Sequence, residues 1–185
     1  MNATQAVDPA PRIRSAVESD IPRITEIYAH YVETSVATFE ETPPDTFEIA
    51  ARFIRITEQG LPWLVVEDAA GVQGYAYAAP FRDRSAYRFT VEDSIYIAPD
   101  RQRRGYGGVL LGELIARCEA IGKRQMIAVV GGSDSTGSIG LHCQLGFQVA
   151  GVLPSAGFKF GAWADLVMMT RPLIDGDSTP PAENG

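Results

Sequence analysis

The chain has few of the features that would assign it to several large protein classes. Its 185 residues include only two cysteines, Cys118 and Cys143. Two cysteines build no disulfide framework, so a reducing cytoplasm is the expected location. Cys118 falls in an apolar helical stripe and reads as core. Cys143 has no obvious partner, and neither has the setting of an activated nucleophile. The two histidines, His30 and His142, lie far apart and offer no metal-ligand spacing. No run of 18 apolar residues occurs, which excludes a helical membrane span. The first residues hold no apolar signal core. Lysine and arginine total 16 against 23 aspartates and glutamates, a net charge of −7. Such a chain lacks the basic footprint that binding a nucleic acid polymer requires. Gly-x4-Gly-Lys-Ser/Thr, Gly-x-Gly-x-x-Gly and Gly-x-Ser-x-Gly are all missing, which argues against a P-loop, a dinucleotide fingerprint and a serine-nucleophile elbow.

What remains is a globular composition, 45% apolar and 21% charged. The length suits one domain, expected over residues 12–173, with flexible termini at 1–11 and 174–185. Ile13–Ala16 reads as a strand. Ser19 is expected to cap a helix carrying Ile21, Ile24, Ile27, Tyr28 and Tyr31. Asp45 and Glu48 make a capping pair before a second helix, whose apolar face reads as Phe47, Ala50, Ala51 and Ile54. Gly60 can end it. Trp63–Glu67 and Val72–Ala79 form a hairpin, and Phe89–Ile97 is the next strand. A helix over 106–121 follows, then a buried strand at Met126–Val130 and a short helix at Ser138–Leu145. Phe147–Val152 and Asp165–Thr170 close the pattern. The order predicts an α/β fold: a mixed, mostly antiparallel central sheet with helices on both faces.

The densest signal is Gln102-Arg103-Arg104-Gly105-Tyr106-Gly107-Gly108, between the strand ending at Ile97 and the long helix. Glycines let backbone N–H groups approach an anion. The helix start adds unpaired donors and the positive end of its dipole. With two arginines, the stretch reads as a pyrophosphate cradle, although a plain glycine-rich turn would share its composition. In Thr90–Ile97, Glu92, Ser94 and Tyr96 share one face, Ile95 and Ile97 the other. Glu92 is either a solvated carboxylate or a general base beside the loop. Asp93 interrupts the apolar face and suggests a bulge. The segment Pro80–Arg88 holds three arginines. It is either a solvated loop or a place where Arg82 and Arg84 grip a carboxylate. His142, just before Gly146-Phe147, reads as catalytic or as a polar surface residue. His30 reads as structural.

Together these stretches resemble the GCN5-related N-acetyltransferase superfamily, and within it the phosphinothricin and methionine sulfoximine N-acetyltransferase family. The likeness spans about 12–173. It includes Tyr77-Ala78-x-Pro80-Phe81-Arg82-x-Arg84-x-Ala86-Tyr87, Thr90-Val91-Glu92-x-Ser94-x-Tyr96, Ser138-Ile139-x-Leu141-His142-x3-Gly146-Phe147 and Gly157-Phe158-Lys159-x-Gly161-x-Trp163-x-Asp165. The resemblance implies the acyl-CoA N-acyltransferase fold, acetyl-CoA as co-substrate with no metal, a small amino-acid-like acceptor, direct acetyl transfer and a homodimer. It implies Glu92 as general base, with His142 assisting it or protonating the leaving thiolate. Arg82, Arg84 and Tyr87 would take the acceptor carboxylate; Phe39, Val129, Gly131 and Leu166 would shape the pocket. Ile95, Tyr96 and Ile97 would line the pantetheine arm. Gln102, Arg103, Arg104, Gly105, Tyr106, Gly107, Gly108 and Ser138 would complete the coenzyme site. The exposed-looking segment Phe158–Trp163 could pack against a partner. Two competing readings stand beside this one: an acyl-CoA-binding regulatory module without turnover, and an acetyltransferase acting on a polyamine, aminoglycoside or protein lysine.

Overall fold

The computed structural model describes residues 11–176 and 178–181. Much of the two expected flexible termini, residues 1–10, 177 and 182–185, lies outside the described residues. The elements run β1 (Arg12–Ser15), α1 (Ile21–Thr34), α2 (Thr46–Thr57), β2 (Trp63–Asp68), β3 (Gly71–Pro80), β4 (Thr90–Ile97), α3 (Tyr106–Ala120), β5 (Gln125–Gly131), α4 (Thr136–Gln144), β6 (Gln148–Lys159) and β7 (Ala162–Pro172). They build a seven-stranded sheet in the order β1-β2-β3-β4-β5-β7-β6. Every neighbouring pair is antiparallel except β4 and β5. This is the mixed, mostly antiparallel α/β sheet the pattern predicted.

Helices cover both faces, and β4 shows how. Tyr96 packs edge-on against Tyr28 and Tyr31 of α1, with centroids 5.1 and 5.2 Å away. Asp93, three residues earlier and so on the opposite face, meets His142 of α4. Ile97, on the Asp93 face, approaches Gly107 of α3. So α1 lies over the Glu92–Ser94–Tyr96 face, and α3 and α4 lie over the Asp93–Ile95–Ile97 face. The core between these layers holds Ile24, Ile27 and Val32 of α1 and Leu110, Leu111 and Leu114 of α3, all essentially fully buried.

Several local expectations need correction. Ser19 does not cap α1. A 3-10 turn over Glu18–Asp20 precedes the helix, and the Asp20 carboxylate instead accepts from the Val17 N–H at 2.9 Å and from Arg14 at 2.6 Å. Helix α2 turns a different face inward: Ile49 and Ile56 are buried, while Phe47 is 82% exposed. Apolar residues cover an arc wider than half the helix, opposite Glu48, Arg52 and Arg55, so spacing alone does not say which part of that arc faces the core. Asp45 does cap it, accepting from the Glu48 N–H at 2.8 Å. No bulge occurs at Asp93, where β3 and β4 pair without a break from Gly74↔Ile97 to Pro80↔Val91. The bulges fall at Val66/Glu67 and twice in β6.

Strands β6 and β7 are longer than predicted. The two irregularities absorb Ala150 and the stretch Pro154–Ala156, and β6 is an edge strand, where proline is tolerated. Phe160 and Gly161, both at positive φ, make the two-residue turn at the tip. Of the segment expected to fray at the C-terminus, the described part folds back. The Arg124 guanidinium donates to the carbonyls of Gly176 and Thr179.

Candidate active site

The one parallel pair of strands creates the site. Strands β4 and β5 pair only from Thr90↔Gln125 to Asp93↔Ala128. Beyond Asp93 the register ends, although β4 runs on to Ile97 and β5 to Gly131. The strands part, leaving a slot through the sheet. The β5-facing edge of Ser94–Ile97 then has no strand partner among the described residues, so an extended chain can pair with it. A cleft of about 270 Å³ lies at this parting. It is lined by Glu92, Asp93, Ile95 and Tyr96 of β4 and Val129 and Gly131 of β5. Phe39, Leu166, Ser138 and His142 complete its walls. The structure thus gathers Glu92, His142, Phe39, Val129, Gly131, Leu166, Ile95, Tyr96 and Ser138 from five separate stretches of the sequence.

Glu92 is half-buried, and no hydrogen bond or ion pair holds its carboxylate among the described residues. Burial and the neighbouring Asp93 charge raise its pKa above the ordinary glutamate value, with Arg82 pulling weakly the other way. An unpaired carboxylate tuned upward in a cleft has the properties of a general base.

The wall opposite comes from the α1–α2 connection, and two glycines allow its close approach. A Cβ on Gly131 would sit 1.9 Å from the Val36 carbonyl oxygen; one on Gly157 would lie 2.5 Å from the Phe39 ring. The Lys159 side chain, buried at the end of β6, donates from Nζ to the carbonyls of Ser35 and Thr38, both at 2.8 Å. Tyr28 binds the same segment through the Thr38 hydroxyl and Glu40. Sequence reasoning did not assign this role to Lys159, which appeared only inside a motif. A lysine between two aromatic residues, Phe158 and Phe160, was the available signal.

The loop before α3 has the features of an anion cradle. Gly105 occupies the N-cap position at φ +85°, and no side chain caps the helix, so its first N–H groups are left for a ligand. Arg103, also at positive φ, and Arg104 are exposed and form no ion pair among the described residues. Gly107 packs close to Leu141, where a Cβ would come within 3.1 Å. Gln102 donates to the Tyr31 hydroxyl at 3.0 Å, and Tyr31 donates to the Ile97 carbonyl at 2.6 Å, tying the loop to the end of β4. The Tyr106 side chain turns inward to bond Asp68 at 2.8 Å, leaving only its backbone for the cradle.

Arg84 and Tyr87 are not brought into the cleft with Glu92. With Arg82, Arg55, Arg88 and Lys123 they line a second depression of about 620 Å³ beside the start of β4. A 3-10 turn over Ser85–Tyr87 sets Tyr87 against Phe81. Of the three expected carboxylate contacts, only Arg82 has a charge that reaches Glu92. Sequence reasoning missed Asp93, read there as a bulge marker. It is buried, and its Oδ2 lies 3.0 Å from His142 Nε2. A carboxylate on the inward face of a strand, in a chain with only two histidines, was the signal for that pair.

No described helix is long and apolar enough to cross a membrane. Among the described residues, no cluster of three or more His, Cys, Asp or Glu side chains could hold a metal ion.

Comparison with known proteins agrees with this geometry. The model of the acetyltransferase (GNAT) domain matches residues 13–168. A phosphinothricin N-acetyltransferase of Alcaligenes faecalis is 55% identical over 169 residues, covering 91% of this chain and 86% of the relative. An L-methionine sulfoximine/L-methionine sulfone acetyltransferase of Pseudomonas aeruginosa is 41% identical, covering 91% of this chain and 98% of that protein. The crystal structure of a phosphinothricin acetyltransferase from Sinorhizobium meliloti in complex with acetyl-CoA superposes with a TM-score of 0.92 at 50% identity, covering 95% of each chain. A cleft at parted strands, a cradle before α3 and a match over most of the sequence lead to one assignment: the chain belongs to the GNAT family of acetyltransferases.

Proposed function

We propose that this acetyltransferase moves an acetyl group from acetyl-CoA to the α-amino group of a small amino-acid analogue of the phosphinothricin, methionine sulfoximine or methionine sulfone type. The observation that carries the reading is the unpaired, upward-shifted carboxylate of Glu92 where β4 and β5 part. Relatives named for those acceptors support the choice of substrate class.

The residues present fit the coenzyme. The backbone amides from Arg103 to Gly108 would hold its pyrophosphate, with Gln102 fixing the loop. The free edge of β4 at Ile95 and Ile97, beside Tyr96 and Ser138, would take its pantetheine arm. When bound, acetyl-CoA supplies an activated acetyl thioester. An ammonium group cannot attack a carbonyl, so the acceptor must first lose a proton, which Glu92 takes. Phe39, Val129, Gly131 and Leu166 surround the acceptor and exclude water. Arg82 approaches from the start of β4 and attracts the acceptor carboxylate, with Arg84 and Tyr87 behind it. Holding both reactants in one slot contributes the proximity advantage.

We also place the enzyme in the cytoplasm, as a homodimer that works without a metal. The dimer reading rests on exposed apolar side chains along the outer hairpin. Val152, Leu153, Phe158, Phe160 and Trp163 are all 47–67% exposed, and exposed apolar groups concentrated on one hairpin favour association. The decisive experiment follows thiol release from acetyl-CoA with a panel of amines. Phosphinothricin, methionine sulfoximine and methionine sulfone should turn over well ahead of polyamines, aminoglycosides and lysine peptides. Turnover of a cationic amine alone would overturn the substrate assignment.

A further inference from the structure

His142 is buried, only 2% exposed, and each ring nitrogen faces an acceptor. Nδ1 lies 2.7 Å from the Ser138 carbonyl oxygen, one helical turn back on α4. Nε2 lies 3.0 Å from Asp93 Oδ2. A carbonyl only accepts, so Nδ1 carries its hydrogen. An ionised carboxylate also only accepts, so Nε2 must carry one too. A ring with both hydrogens is an imidazolium, and neither nitrogen is left to take up a proton. The Phe147 ring, edge-on at 5.0 Å, fixes the imidazole plane.

The surroundings supply no competing charge. On β4 the ring meets Asp93, with Glu92 next in the chain. The α3 residue near Asp93 is Cys118, whose thiol stays neutral because burial and the Asp93 charge push its pKa up to about 12. Strand β5 carries no titratable side chain, and α4 carries only His142 and the exposed Cys143. Burial works against a charge on His142, but the bond to Asp93 and the charge of Asp93 prevail, and its pKa lies above the ordinary histidine value.

Strand alternation adds the placement. Glu92 points to the α1 side, where Phe39 and Thr38 form the wall. Asp93 points to the α3 and α4 side, where Gly107 and the cradle lie. The two adjacent carboxylates therefore serve opposite ends of the slot.

We infer that Asp93 is a positioning residue for acetyl transfer: it locks His142 as a buried imidazolium on the coenzyme side, so Glu92 alone accepts the amine proton. This rests on the acetyltransferase reading above and divides the work between Glu92 and His142. The proton leaves the amine nitrogen for the Glu92 carboxylate. His142 stays a fixed positive group with no basic nitrogen in the cleft.

The test is ¹⁵N NMR of the histidine-labelled full chain at about pH 8, well above the ordinary histidine value. Both His142 nitrogens should show the shifts of protonated ring nitrogens. A neutral ring in the wild type, its proton held by Asp93 instead, would overturn the inference. In Asp93→Asn the ring should become neutral and kcat/KM should fall about tenfold or more. A ring still charged in Asp93→Asn would also count against the inference. Should that variant fail to fold, the wild-type spectrum decides alone. The spectrum needs no turnover, so failure to acetylate any tested amine would refute the substrate assignment without touching this one.

Discussion

Replacing Lys159 with methionine tests how the acceptor wall is held. The two side chains have similar length and volume, so the change removes charge and donors without opening a cavity. It deletes two 2.8 Å hydrogen bonds, to the Ser35 and Thr38 carbonyls. Charge-assisted hydrogen bonds contribute about 1.5–3 kcal/mol each. Methionine offsets part of that loss, because burial already disfavours the Lys159 charge and holds its pKa below the ordinary lysine value. A net cost of about 2–4 kcal/mol remains. For a chain of this size that lowers Tm by roughly 5–15 °C. The released segment Ser35–Phe39 is one wall of the cleft, so KM for the amine should rise while KM for acetyl-CoA holds. Differential scanning fluorimetry and thiol-release kinetics read the two effects. A variant with unchanged Tm and unchanged amine KM would refute the reasoning.

Glu92→Gln should lower kcat by about 10²–10⁴-fold, the usual worth of a general base. The same change bears on stability. The folded-state pKa of Glu92 is raised, so its contribution to stability is present at low pH and lost as pH rises through that value. Glu92→Gln should therefore raise Tm at neutral pH and leave it nearly unchanged at about pH 4, near the ordinary glutamate value; a scan with no pH dependence would sink this prediction. In the wild type, the acid limb of kcat/KM should fall above the ordinary glutamate range. Arg82→Ala should raise KM for amino-acid acceptors with little change in Tm, and an unaltered KM would remove Arg82 from carboxylate binding. Gly157→Ala should displace Phe39, whose ring lies 2.5 Å from the added carbon, and raise amine KM several-fold; normal KM would show that Phe39 is free to move.

The order of elements was legible because periodicity, glycine punctuation and the hairpin spacing agreed on it. The rotation of α2 was not, since Phe47, Ile49, Ala50, Phe53, Ile54 and Ile56 place apolar groups around most of the helix. Choosing Ile49 and Ile56 as the inner pair depends on the sheet it packs against. Glu92 and the glycine-rich loop were readable because their chemistry is local. Asp93, Lys159 and Gly157 were not, because each acts on a partner distant in sequence: His142, the Ser35–Thr38 carbonyls and Phe39. A buried charge without a visible partner marks such long-range pairs, and Asp93 carried that mark. The arginine loop shows the reverse difficulty. Its charges invited one shared role, while a short 3-10 turn sends Arg84 and Tyr87 toward a different hollow from the one holding Glu92.

The gap between β4 and β5 opens on both faces of the sheet, giving the enzyme two doors and one room. In the proposed reaction the coenzyme would enter from the side of α3 and α4 and the amine from the side of α1, so neither would block the other's path. Both can be resident together. Initial-rate lines at several fixed amine concentrations should therefore intersect rather than run parallel.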